Sequence, residues 1–378
     1  MLAITNTHII LRDHMIVDGI ILVDNGRIVD FNEARLLSVP EGAELLDAHG
    51  AFTGPGFIDI HSHAGDGRWF YESPETAAWG HMKNGTTSIL PALYFAMSPA
   101  QWIKATKDLR ACSQTPAGAN IRGLYMEGPY LNPKFGCEQN TNPWRGAIDR
   151  AMYLPVIDEA KDMARIWALA PEREGILGFA DDVRAACPDI IFTVAHSEAS
   201  PEQINAIDGL RVGTHHTNST GDLPKYPECR GVCVDETVNY RDDIYAEMIC
   251  DSRGIHVDPY MQRLVVKIKG KDKVILISDA FVANGPIPAG YEGVTDINFD
   301  NDGQIAGSRL TLNVACRNMM KHTGASLVDV FNYASGNPAR LLGWKDRGEI
   351  RRGAIADLVL VDYWMNVQGV FVGGVRRV

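Results

Sequence analysis

Apolar positions along this chain change their spacing twice. Over roughly the first fifty residues they fall in short runs broken by charged positions, for instance Ile20 to Val23 and Ile28 to Phe31, joined through Asn25-Gly26. An Asn-Gly pair tolerates the positive φ of a tight turn, so these runs read as hairpin strands. The last twenty-five residues return to the same pattern, with β-rich runs at Leu358 to Val361 and Val370 to Val372 and a turn at Gly373-Gly374. Termini of a domain often lie close together, so the two β-rich ends predict one small β-sandwich domain assembled from 1–53 and 347–378.

Between them, continuous apolar runs at 54–60, 86–92, 121–126, 164–170, 190–195, 210–214, 245–250 and 273–278 alternate with segments of helical character. Continuous runs, as opposed to alternating ones, are what a parallel sheet covered on both faces requires. Eight such strand-helix units close into a (β/α)8 barrel of the TIM type, so the expected class is α/β with the barrel over 54–346. Runs four, six and seven carry the weakest β signal. No short fixed period and no low-complexity segment argues for a repeat architecture.

Composition narrows the partners. The chain has 378 residues, long enough for a large domain carrying a smaller one, and its 46% hydrophobic and 22% charged content is that of a folded soluble protein. A net charge of −11 without a block of Lys and Arg points away from nucleic acid and from membrane surfaces. No stretch reaches the ~18 consecutive apolar residues of a membrane helix, and the alternating start at Met1 to Asp30 is no signal peptide. Seven cysteines (Cys112, Cys137, Cys187, Cys229, Cys233, Cys250 and Cys316) form an odd set without a CxxC pair. That set suits neither a disulfide framework nor a thiolate zinc site, and the expected compartment is the cytoplasm.

The candidate chemistry sits just past the predicted strands. His61 and His63 follow run one, Glu127 run three, His196 run five, His215 run six and Asp279 run eight. Strand C-terminal ends share one rim of a barrel, so residues scattered over the sequence converge there on one pocket. Four imidazoles and two carboxylates are ligands for a borderline-soft divalent ion such as Zn²⁺, with Fe²⁺ and Mn²⁺ inside the same range. Positions two apart on a strand project to one side, so His61 and His63 can grip one ion together. His216 should point away from the pocket if the backbone is still extended. His8, His14, His49, His81 and His322 fall outside the rim pattern and read as surface or core residues.

The stretches GPGFIDIHSH (54–63), GLYMEGPYLNP (123–133), VAHSEAS (194–200), GTHHTN (213–218), CDSRGIHVDP (250–259), VILISDA (274–280), AGSRLTLNVACRNM (306–319), SGNPARLLG (335–343) and GAIADLVLVD (353–362) occur in this order over nearly the whole chain. Together they resemble the N-acetylglucosamine-6-phosphate deacetylase family of the amidohydrolase superfamily. The first and last are shared by many amidohydrolases, whereas MEGPYLNP and the GIHVD segment point to this family. The resemblance implies that Glu127, His196 and His215 hold the metal common to the family and that Asp279 is the catalytic acid/base. With His61 and His63 both intact, a second ion bridged through Glu127 is expected, giving one or two ions per chain. Cys137, Asn218, Ser219, His256, Gly307 and Ser308 fall where the family contacts its sugar phosphate. His256 has a second reading, as a cap of the loop after strand seven.

Departures cluster on the substrate side. Lys134-Phe135-Gly136-Cys137-Glu138 stands where the family has KKGxH, Asn218-Ser219-Thr220 where it has Asn-Ala-Met, and Lys225 in place of the phosphate-binding arginine, with Arg230 nearby. Lysine offers a point charge where arginine offers a bidentate fork, so these changes bear on which sugar is bound and whether it is phosphorylated. The expected activity is hydrolysis of the N-acetyl amide of N-acetylglucosamine-6-phosphate to glucosamine-6-phosphate and acetate, in a homodimer. The remaining readings are an amidohydrolase acting on another N-acyl amino sugar, such as N-acetylgalactosamine-6-phosphate or an unphosphorylated sugar, or on an N-acyl amino acid, and a metal-binding protein without catalysis.

Overall fold

The computed structural model describes residues 1–137, 141–221 and 224–378, which leaves Glu138 outside the described residues. All eight apolar runs are strands: Phe57–Ser62, Thr86–Tyr94, Leu124–Glu127, Ala164–Leu169, Ile191–Val194, Leu210–Gly213, Tyr245–Ile249 and Val274–Ile277. They pair in that order, each parallel to the next. The ring is completed beyond the last strand, where the Asp279 amide donates to the His61 carbonyl at 2.9 Å. The result is a (β/α)8 barrel.

Helices pack outside the ring, and their starts are legible in sequence. Ser98 and Gln101 form a capping box at the head of Pro99–Ser113, and the Asp258 carboxylate accepts from the Tyr260 amide at the head of Pro259–Lys269. Each cap satisfies amides that the first helical turn leaves without partners. No helix among the described residues is long and apolar enough to cross a membrane.

Strands from both termini join in a second, eight-stranded sheet, in which Phe52–Pro55 pairs with Leu2–Ile10 on one side and with Leu358–Val361 on the other. The Asn25-Gly26 turn links Met15–Asp24 to Arg27–Glu33, with φ of 46° and 76° at its two residues. Period-two alternation explains how the sheet docks. Val359 and Val361 join the barrel's core cluster, while Leu358 and Leu360 turn to the opposite face and pack with Ile4, Ile9, Ile21 and Phe371. At the junction Phe57, the first residue of the barrel, packs on Phe331 with ring centroids 5.3 Å apart.

Candidate active site

Every residue anticipated from its place after a strand stands at the same end of the barrel. His61 lies in the first strand with His63 just beyond it, and their rings are 5.2 Å apart. Glu127 is the last residue of the third strand. His196, His215 and Asp279 follow the fifth, sixth and eighth strands in left-handed backbone, with φ of 43°, 28° and 45°. That conformation is costly for residues with a Cβ, and three such residues in one cluster mark a place where packing overrides local preference. It also replaces the extended backbone assumed at His215. His216 nevertheless points away, with Nε2 3.1 Å from Asn239 Oδ1, and burial lowers its pKa to about 4.

Two ligand groups result, His61 with His63 and Asp279, and Glu127 with His196 and His215, each offering three atoms within 4.8 Å of one another. Glu127 joins them. Its Oε1 lies 3.0 Å from His196 Nε2, 3.5 Å from His215 Nε2 and 3.7 Å from His61 Nε2, and its Oε2 lies 3.3 Å from His63 Nε2. Asp279 Oδ1 stands 3.3 Å from His63 Nε2 and 3.8 Å from His61 Nε2.

Outer contacts orient these rings. His63 Nδ1 is 3.2 Å from the Ala92 carbonyl and His215 Nδ1 is 3.0 Å from the Asn218 carbonyl, and since a carbonyl only accepts, each Nδ1 carries the proton. The Nε2 lone pairs then face the centre, as in metal sites. His61 Nε2 is buried without a hydrogen-bond partner among the described residues, and His196 and His215 bring their Nε2 atoms to 3.1 Å of each other. A buried acceptor without a donor costs about 1–3 kcal/mol, so converging lone pairs beside two carboxylates fit a cation.

The electrostatics agree. Burial alone would lower the pKa of His63, but Glu127 and Asp279 outweigh it and raise it to about 10; His215 is raised to about 9 against burial, chiefly by Glu127 and Asp279. His196 is lowered, because burial dominates there. Burial would raise both carboxylates, yet His63 with hydrogen bonds from His196 and His215 holds Glu127 well below its ordinary range, and His63 with His61 holds Asp279 below its own. Such a cluster exchanges protons for a divalent ion.

The cavity of about 50 Å³ above the ligands is also lined by Cys137, Asn218, Ser219, His256 and Gly307, as anticipated, and walled by Tyr94, Phe95 and Phe281, which were not. His256, which lines it, has a buried Nε2 without a hydrogen-bond partner among the described residues. Asp251, another residue the sequence reading missed, does the capping: it accepts from the amides of Arg253, Ile255 and His256 and lies 3.2 Å from His256 Nδ1. Gly307, at φ +56°, lets the chain pass where a Cβ would come within 2.7 Å of the Asp279 carbonyl. Ser308 does not line the cavity. Its hydroxyl donates to the Ser278 carbonyl and accepts from the Leu310 amide, bracing the backbone around Asp279. Lys225 is exposed on the hairpin Pro224–Tyr226 to Cys229–Arg230 and does not line the cavity. Arg230 is paired with Glu236 at 2.8 Å and Lys134 with Glu198 at 2.7 Å. No lysine or arginine lines the cavity among the described residues.

A further miss is Glu247, in the middle of the seventh strand and wholly buried, whose Oε2 lies 3.2 Å from His61 Nδ1. Its signal in the sequence is a lone carboxylate inside the apolar run YAEMI.

The amidohydrolase family model matches residues 265–377. Within that class the chain resembles the N-acetylglucosamine-6-phosphate deacetylases over nearly its whole length. The enzyme of that name from Bacillus subtilis is 27% identical, covering 95% of this chain and 93% of its own. An N-acetylgalactosamine-6-phosphate deacetylase of Escherichia coli is 28% identical, covering 92% and 93%. The solved structure of N-acetylglucosamine-6-phosphate deacetylase from Pasteurella multocida superposes with a TM-score of 0.85 at 27% identity, over 100% of this chain and 99% of that one.

Proposed function

We propose that the protein hydrolyses the N-acetyl amide of a hexosamine phosphate, with N-acetylglucosamine-6-phosphate as substrate and glucosamine-6-phosphate and acetate as products. The observation that carries this is the pair of ligand groups, one containing Asp279 and the other Glu127, which also approaches His61 and His63, in a chain similar end to end to deacetylases of amino-sugar phosphates.

Glu127, His196 and His215 would hold one divalent ion and His61, His63 and Asp279 a second, with Zn²⁺ the metal these ligands suit best. Such an ion lowers the pKa of a water towards neutrality and polarises the amide carbonyl. Asp279 takes the proton of the attacking water and returns it to the amide nitrogen as the C–N bond breaks. Its depressed pKa keeps it ionised. His256, held by Asp251 through Nδ1–H, presents Nε2 as an acceptor for a substrate hydroxyl, while Asn218 and Ser219 border the same space. Tyr94, Phe95 and Phe281 keep bulk water from the reacting bond.

The absence of any cation among the described cavity-lining residues favours a second reading, an unphosphorylated N-acetyl amino sugar. For a phosphorylated one, the counter-charge would come from the Lys225 hairpin or across a homodimer interface. The free state of all seven cysteines supports a reducing compartment, the cytoplasm. The deciding experiment is elemental analysis of the purified protein with acetate release from N-acetylglucosamine-6-phosphate, N-acetylgalactosamine-6-phosphate and unphosphorylated N-acetylglucosamine. The first should be preferred; preference for the unphosphorylated sugar makes the second reading correct, and no acetate from any of the three removes the deacetylase reading.

A further inference from the structure

We propose that Glu247 is a positioning residue for the metal centre: its carboxylate fixes the ring of His61 and, through one oxygen, ties the two ligand groups together. This rests on the reading that those groups hold metal. A carboxylate has no obvious business at this position. Glu247 is wholly buried on the barrel interior between Ala246 and Met248, where an unpaired charge would be prohibitively costly. It does not line the cavity, so it is out of reach of substrate.

Its partners explain it. Oε2 lies 3.2 Å from His61 Nδ1, 3.3 Å from the His215 amide nitrogen and 3.5 Å from the Tyr125 hydroxyl. A carboxylate oxygen accepts, so Nδ1 of His61 carries the proton and its Nε2 lone pair faces Glu127 and Asp279. Tyr125 stacks on the same ring at 4.1 Å and 19°. The face and one edge of His61 are thereby held from beneath the site. The hydrogen bond donated by the His215 amide anchors the residue whose backbone has the unusual φ of 28°, and His215 belongs to the other ligand group. The hydroxyls of Tyr125, Thr214 and Thr193 continue the network, at 2.8 Å and 2.6 Å. An apolar side chain would fill this volume equally well, but it would leave His61 free to turn about its ring bond and expose Nδ1–H to the ion.

Losing an outer partner of a metal-bound histidine costs about 10–100-fold in affinity. The test uses the full chain as wild type, Glu247→Gln, which keeps an accepting oxygen, and Glu247→Met, which keeps length but no acceptor. His61→Asn with His63→Asn serves as the reference for the ion on that side. Each is titrated with zinc against a chelating dye. Wild type should take two equivalents; in Glu247→Gln the weaker site should loosen about tenfold and in Glu247→Met about a hundredfold, with a smaller loss at the tighter site, whose ligand His215 is held by Glu247 only through its backbone amide. Wild-type affinity at both sites in Glu247→Met overturns the proposal, as does equal weakening of both, which describes a general packing residue. Where Glu247→Met does not fold, unchanged affinity in Glu247→Gln overturns it. A crystal structure of the metal-free Glu247→Met protein decides without the metal: the His61 ring should be turned or moved off Tyr125, and an unmoved ring sinks the proposal. A wild type that takes no zinc, with the ring displaced in that crystal, removes the metal reading instead.

Discussion

Five of the six ligand-type side chains, all but His61, line one cavity with five of the residues expected to contact substrate, but the two sets are held in different ways. The ligands are buried, seated on or just past barrel strands, and fixed by contacts from behind, as Ala92 does for His63 and Asn218 for His215. The residues expected to contact substrate come from loops and a surface hairpin, including Cys137, Ser219 and the exposed Lys225, and there the sequence also departs from the family it resembles. Bond-making chemistry tolerates little displacement, so it sits on rigid strand ends; recognition is tuned on loops whose change leaves the barrel intact. The contrast predicts that substitutions among the ligands abolish activity and substitutions among the loops redirect or weaken it.

Glu127 stands nearest all four rings, so Glu127→Gln should have the largest effect. Charge stabilisation by the metal is worth several kcal/mol, about a thousandfold in rate, and bound metal should fall with activity in elemental analysis. Full metal and full turnover in this variant would break the comparison at its strongest point. Asp279→Asn comes next: kcat should drop at least about a hundredfold, while the fold, substrate affinity and the ion at Glu127, His196 and His215 persist. If that ion leaves in parallel with activity, Asp279 acts mainly as a ligand.

His61→Asn with His63→Asn should lower metal towards about one equivalent per chain while part of the activity survives, because Glu127, His196 and His215 form a complete set without them. Zero metal would show that the histidine pair holds the primary ion. Lys225→Ala should do less. An exposed charge contributes at most about 1 kcal/mol, so KM for a phosphorylated sugar should rise by under about tenfold with kcat unchanged. A collapse of kcat there would move Lys225 into the catalytic half.

The smallest effect separates Asp251 from both halves. Burial works against its ionisation, but the His256 side chain and the amides of Ile255 and His256 hold its pKa down to about 2, from an ordinary 3.8. The folded-state value is depressed, so the stabilisation is complete above about pH 4 and is lost as pH falls towards 2. In thermal unfolding, the Tm gap between wild type and Asp251→Asn should therefore be widest above pH 5 and close on acidification. A gap independent of pH would show that the carboxylate's charge is not what holds the His256 loop.

Much of this was written in the one-dimensional pattern. Eight continuous apolar runs specify eight strands buried on both faces, since only a parallel sheet covered on both sides can use them, and a histidine or carboxylate directly after such a run has one rim to occupy. That is why His61, His63, Glu127, His196, His215 and Asp279 could be named together without a structure. Tertiary structure alone decided what depends on contacts between distant segments. Ser308 proved to brace the Asp279 backbone, and Asp251 took the capping role considered for His256. Glu247 looks like an ordinary strand residue until the first and seventh strands face each other across the barrel and set its oxygen against His61. Periodicity records which face of an element is buried, but hydrogen-bond partners are fixed by distances between segments far apart in sequence, and those exist only once the barrel has closed.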